Sequence, residues 1–349
     1  MSIERIGLGF GTAGLGDNVF QSVSLALAAG FRKFDTAEAE WWYDQGKVGE
    51  ALEHFFLPEL SQECIVDKET DVICPSFCAA NGVDISTKIP PWELTSIDNI
   101  RRRASESREV LVGFCDDYHY DDNDAQVEVQ EGGLSIDGFG EGGAKYPLDV
   151  YYIHAPECWD GWHSRCTGVK NTLPLRQAWL GMEAVVFDKS AKRIGLSNIW
   201  PNQLLDVIHF VQEREQQIKL NGVGTSTPLP RIPDVIQIYA DPLRPADELQ
   251  KICEEYGIEF VSYSTLGTQH SMRGNGNPVL GNEHIIAIAN KHDRSAAEVV
   301  LSWAMHHKNM SVIPRSSQEK HIQELAKLLN HDPFLDKNDL DVIDSLSSN

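Results

Sequence analysis

The chain has 349 residues, 42% of them hydrophobic and 23% charged, with a formal net charge of -22. This length holds one large barrel domain or two small ones, and the composition is that of a soluble globular protein. The acidic balance argues against nucleic acid, whose phosphates require clustered Lys and Arg, and against an anionic membrane surface.

The opening MSIERIGLGFGTAG carries no basic leader, and no apolar run approaches the ~18 residues of a membrane helix. The seven cysteines are dispersed and odd in number. A cytoplasmic protein with reduced thiols is expected. Short apolar runs predict strands at 6–9, 33–35, 83–87, 149–154, 193–196, 235–238, 259–262 and 311–313. Helical spacing predicts helices at 19–29, 47–56, 96–112, 175–188, 201–213, 246–256, 295–307 and 318–329, with a last one at 337–346. Eight alternating units point to a single (β/α)8 barrel with parallel strands over 1–349. The Gly-rich GLGFGTAGLG invites a dinucleotide-binding Rossmann reading, but no acidic residue ends a second strand at the required distance.

Two segments interrupt this rhythm. Residues 61–82 hold three of the cysteines, and 115–146 is dense in Asp, Glu and Gly. Each follows a helix and precedes a strand, which places it on the face opposite a barrel's site. Surface insertions are expected, with a partner-docking role as the alternative.

Barrel enzymes set their chemistry at the C-terminal ends of strands. Asp35, Lys88 and His154 end three successive runs, RKFDTA, VDISTKI and DVYYIHAP. Such ends converge on one mouth. With FRKFDTA and VGEAL, STKI, DVYYIHAP, RIGLSNIWPNQL, VIQIYADPL, FVSYSTLG and VVLSWAMHHKNMSVIPRSSQEKHIQEL, the chain resembles the aldo-keto reductase family in ordered segments from Arg5 to about Leu329. The resemblance implies a monomer in which a small aldehyde or ketone receives hydride from NADPH.

Charge that builds on a carbonyl oxygen needs a poised proton donor. The resemblance gives this role to Tyr43, the one tyrosine between Asp35 and Gly49, although the loop EAEWWYDQGK is longer than usual and the family's register falls on Trp42. Lys88 would lower the phenol's pKa, Asp35 would hold Lys88, and His154 would orient the substrate oxygen. The resemblance sets Gly11, Thr12 and Asp35 on the nicotinamide side, and Ser197, Asn198 and Gln237 on its carboxamide. It stacks the ring on Tyr263 and wraps the pyrophosphate with Ser264, Leu266 and Thr268. Arg315 and Ser316 would meet the 2′-phosphate, with His321 and Glu324 beyond. His321 stands where the family has a second strong base, so NADH is the alternative cofactor.

Trp42 and Trp92, with His154, are expected to line the substrate pocket. Ala13 stands where a bulky aromatic is common, the C-terminal loop is short, and 155–172 should shape the pocket more than usual. His154, Cys158, His163 and Cys166 could form a zinc set, but their spacing is irregular, and no metal is expected. The alternative to an enzyme is a catalytically weak NADP(H)-binding regulatory protein on the same fold.

Overall fold

The computed structural model of the protein describes residues 7–63, 82–115, 146–159, 161–169, 172–221, 228–272, 274, 276–330 and 332–348. Eight strands run parallel in sequence order: β1 (Phe10–Gly11), β2 (Lys33–Asp35), β3 (Asp84–Ile89), β4 (Leu148–Ile153), β5 (Ala191–Ser197), β6 (Val235–Tyr239), β7 (Glu259–Tyr263) and β8 (Ser311–Val312). The sheet closes on itself. Leu8 pairs with Val312, and the Gly9 and Gly11 N–H groups donate to the carbonyls of Val312 (2.8 Å) and Pro314 (2.9 Å). This is the expected (β/α)8 barrel.

The first strand corrects an expectation. Its ladder with β2 lies at Phe10 and Gly11, later than the expected 6–9, of which residue 6 is outside the described residues, and Leu8 bridges Val312 on the other side. Seven other strands fall where apolar runs placed them, within two residues at each end.

Side-chain alternation sorts each strand into two faces. In β4, Tyr151 and Ile153 join the large core against the helices, whereas Val150 and Tyr152 point inward and cluster with Val235, Val261 and Ile313. The same parity carries His154 to the mouth. Arg193 plugs the lower end, 2.5 Å from Asp149 and 2.5 Å from Glu259, whose carboxylate also accepts from the Ser311 hydroxyl at 2.6 Å.

The outer layer comprises α1 (Val19–Ala28), α2 (Gln45–Glu63), α3 (Ile97–Val112), α4 (Leu175–Phe187), α5 (Pro201–Asn221), α6 (Asp247–Tyr256), α7 (Thr268–Met272), α8 (Glu283–His292), α9 (Ala296–Ser302), α10 (Glu319–Ala326) and α11 (Lys337–Ser345). Caps fix several starts. Ser96 accepts from the Asn99 N–H, and Ser295 with Glu298, like Asp336 with Asp339, forms a reciprocal capping box. Gly49 lets α2 approach α3 closely, since a Cβ there would lie 2.1 Å from the Val110 carbonyl. The helices α7 and α8 were not anticipated; an Asn282 cap and an apolar face of Ile285, Ile288 and Ala289 explain α8.

The segments read as insertions, 61–82 and 115–146, lie almost wholly outside the described residues. The cysteines also correct the reading. Cys158 and Cys166 form a disulfide with a Cα–Cα distance of 5.4 Å, and Cys115 is disulfide-bonded as well. Among the described residues only Cys253 is free, and it is buried. Spacing along the chain does not report proximity in space: two turns between Cys158 and Cys166 fold the loop back on itself. No helix among the described residues is long and apolar enough to cross a membrane.

Candidate active site

The inward face of each strand ends at the mouth, so residues far apart in sequence share one polar layer. The Asp35 carboxylate accepts from the Lys88 ammonium at 2.5 Å and from the Gln237 amide at 2.8 Å. Lys88 also donates to the Thr36 carbonyl at 2.7 Å. Thr12 fixes the strand end from the other side, donating its N–H and its hydroxyl to the Asp35 carbonyl, both at 3.0 Å. Burial holds the Lys88 ammonium below its ordinary pKa, opposed by the Asp35 carboxylate.

His154 follows β4 directly. Its N–H donates to the Ile89 carbonyl at 2.9 Å, and its own carbonyl accepts from the Asn198 amide at 2.9 Å. The imidazole Nδ1 is buried with no hydrogen-bond partner among the described residues. Burial, and then the Lys88 charge, hold its pKa well below the usual value, so the ring is neutral at neutral pH.

Tyr43 lies beside both groups. Its ring meets His154 edge-on at 5.9 Å between centroids, and Lys88 Nζ stands 5.5 Å from its centre. Burial, then the Asp35 carboxylate, push the phenol above its ordinary range, with Arg315 opposing. This reverses the expectation that Lys88 lowers it. The ammonium is already matched by a carboxylate at 2.5 Å, so the phenol faces a nearly neutral pair. Tyr43 is therefore protonated and His154 uncharged across the neutral range.

An unforeseen residue holds the long loop that carries Tyr43. Glu38 donates its N–H to the Lys88 carbonyl at 3.0 Å. Its buried carboxylate accepts from the Tyr151 hydroxyl (2.5 Å), the Ser107 hydroxyl (2.9 Å) and the Arg103 guanidinium (2.8 Å). Burial pushes it up to about 7, opposed by Arg103 and the two hydroxyls. In sequence, no local signal marks the first Glu of EAE as buried.

Above this layer opens a cavity of about 560 Å³. Asp35, Tyr43, His154, Ser197 and Gln237 form its floor, with Gly11 at its edge. Asn198 is committed on both sides, donating to His154 and accepting from the Tyr263 hydroxyl at 2.7 Å. Asn198 and Ser264 both adopt a left-handed backbone with φ 53°, a strained conformation held at the pocket. Ser264, Leu266 and Thr268 run along one wall, and Arg315 closes the far side. Arg315 Nη1 is buried and has no partner among the described residues, as suits a site for an anion.

Other expected contacts stand off the cavity. Lys88 and Thr12 lie beneath the floor, where they act through Asp35. The Ser316 hydroxyl turns back to accept from the Gln318 N–H at 3.0 Å. On α10, His321 is exposed and Glu324 half-buried. Lys308 pairs with Asp247 at 3.0 Å.

The opposite wall is aromatic. Trp159 and Trp162 stack at 4.1 Å and 6°, and Trp162 meets His154 edge-on at 5.3 Å. His163 lies flat on Trp41 at 3.9 Å, with Trp92 tilted against both. Trp92 thus backs Trp41 and does not itself line the cavity. The disulfide takes both sulfurs of the zinc alternative and brackets Trp159, Trp162 and His163.

Comparison with known proteins supplies a further observation. The family model "Aldo/keto reductase family" matches residues 144–348, a span that includes His154 and Arg315 but begins after Asp35, Tyr43 and Lys88. Aldose reductase B of Dictyostelium discoideum is 27% identical over 213 residues, 58% of this chain and 60% of that protein. The NAD(P)H-dependent D-xylose reductase I,II of Candida tropicalis is 31% identical over 208 residues, 58% of this chain and 55% of its own length. The chain thus spans little more than half the length of these relatives. Among solved structures, aldose reductase from Schistosoma japonicum has a TM-score of 0.66 at 19% identity, covering 98% of this chain and 88% of that one. The Bombyx mori aldo-keto reductase in complex with NADP has a TM-score of 0.65 at 19% identity, covering 97% of this chain and 88% of that one. These likenesses show the fold.

Proposed function

The chain belongs to the aldo/keto reductase family, and from that premise we propose that it is an NADPH-dependent reductase of small aldehydes or ketones, working as one barrel domain and as a cytoplasmic monomer. The observation that carries this reading is the arrangement at the mouth: the Tyr43 phenol edge-on to His154 at 5.9 Å and 5.5 Å from Lys88 Nζ, over a buried Lys88–Asp35 pair. Reduction needs a donor so placed, because the product oxygen must receive a proton.

When bound, the nicotinamide would supply the hydride. Tyr263, Asn198 and Gln237 would hold that end, Ser264, Leu266 and Thr268 the pyrophosphate, and Arg315 the 2′-phosphate, with the aromatic wall left to the substrate. His154 would donate one hydrogen bond to the carbonyl oxygen and so fix its direction. The Tyr43 hydroxyl would release its proton to that oxygen as negative charge develops; a raised phenol pKa does not forbid this, since an alkoxide is the stronger base. Lys88 would then counter the charge of the phenolate left behind only in part, because Asp35 already matches its ammonium.

The test is oxidation of NADPH with a panel of aldehydes and ketones, for the wild type and Tyr43→Phe. A loss of roughly 10²- to 10⁴-fold in turnover with retained NADPH binding supports the reading. Binding of NADPH without reduction of any carbonyl, and no effect of Tyr43→Phe, would favour a binding protein on the same fold.

A further inference from the structure

Three loops meet at the edge of the cavity, one after β1, one after β2 and one after β8. The Gly14 N–H donates to the Trp42 carbonyl at 2.6 Å. Gly14 has φ +62°, and a Cβ placed on it would stand 2.3 Å from Arg315 Nη1 and 2.7 Å from the Trp42 indole. Glycine is the residue that leaves room for this junction. Across it, the Arg315 guanidinium lies over the Trp42 ring at 5.5 Å.

Arg315 is unusual among the cations of this acidic chain. It is half-buried, and among the described residues its Nη1 is the one buried Lys or Arg nitrogen without a hydrogen-bond partner. Burial draws its pKa down, with Tyr43 opposing. A guanidinium held over an aromatic ring still has N–H groups to donate, and its planar edge matches two phosphate oxygens. The neighbouring candidates offer little help, since Ser316 turns to Gln318 and His321 is exposed.

We propose that Trp42 is a positioning residue for Arg315: by stacking under the guanidinium it presents the edge N–H groups to the 2′-phosphate, and so sets the preference for NADPH over NADH. This moves Trp42 from the substrate wall to the cofactor, and it rests on the cofactor reading given above. The two dinucleotides differ only in that phosphate, so the effect appears in the ratio of their affinities.

The experiment is calorimetric titration of the full chain with NADPH and with NADH, for the wild type, Trp42→Leu and Trp42→Phe. Trp42→Leu keeps apolar bulk but removes the π face. It should weaken NADPH binding about fivefold and leave NADH within a factor of about two, while Trp42→Phe restores most of the difference. The NADH affinity also reports that each variant is folded. Equal weakening of both dinucleotides, or no change in either, overturns the proposal while leaving the cofactor reading intact. If the wild type binds neither dinucleotide, both fall together.

Discussion

Lys88 and Asp35 face one another from adjacent strands, with 2.5 Å between ammonium and carboxylate and almost no solvent reaching either. Breaking a buried pair leaves an uncompensated charge, which costs about 3–5 kcal/mol. Lys88→Met should therefore destabilise the fold by that order and also abolish turnover. Adding Asp35→Asn should return much of the stability and none of the turnover. Urea unfolding and steady-state kinetics on the single and double variants separate the two effects; a double variant no more stable than the single would refute the pairing.

Glu38 predicts a dependence of stability on pH. Its folded pKa of about 7 lies above the ordinary 4.5. Between those values the unfolded chain has released the proton and the folded chain still holds it, so stability falls as pH rises through the window. Glu38→Gln removes that loss. Relative to wild type, the variant should gain on the order of 3 kcal/mol between pH 5 and pH 8, read from urea melts at both. A difference that stays constant with pH would mean Glu38 is ionised throughout.

The Cys158–Cys166 disulfide brackets the stacked Trp159 and Trp162. A closed loop this small contributes about 2.5 kcal/mol in the chain-entropy model. Cys158→Ser with Cys166→Ser should lower stability by no more than that and raise KM for a flat aromatic aldehyde, while KM for a short aliphatic aldehyde changes little. Dithiothreitol should reproduce the change in the wild type, since a half-buried disulfide in a surface loop is open to thiol exchange. Identical KM values in the oxidised and reduced protein would count against the loop as a substrate wall.

At the other end of the barrel, Arg193 holds Asp149 and Glu259 apart from solvent. Arg193→Met leaves two largely buried carboxylates together and should destabilise by about 3–5 kcal/mol. Dinucleotide affinity, measured under conditions where the variant is folded, should be unchanged, because conserving the mouth does not depend on the plug. A large change in affinity would show that the lower layer shapes the site.

The strands and most helices were legible because the barrel buries one face of each element, and burial writes a period into the sequence. The same period placed Asp35, Lys88 and His154 together. Glu38 and Arg193 were not legible, since a buried charge looks like an exposed one until its partners are known, and their partners lie 65 or more residues away in Arg103 and Tyr151 for Glu38, and 44 and 66 away for Arg193. The sign of the Tyr43 shift escaped for a related reason. Lys88 in isolation would favour phenolate, but burial and then the Asp35 carboxylate oppose it, and neither the burial nor the 2.5 Å Lys88–Asp35 contact is encoded in linear spacing.

The disulfide-closed loop has a consequence for how this barrel could diversify. Its shape is stored in its own covalent ring, between Cys158 and Cys166, more than in the strands on either side. A segment built in this way can be exchanged, lengthened or grafted onto another scaffold without retuning the staves beneath it. The aromatic wall is then free to drift while the polar layer of Asp35, Lys88 and His154 beneath it stays fixed.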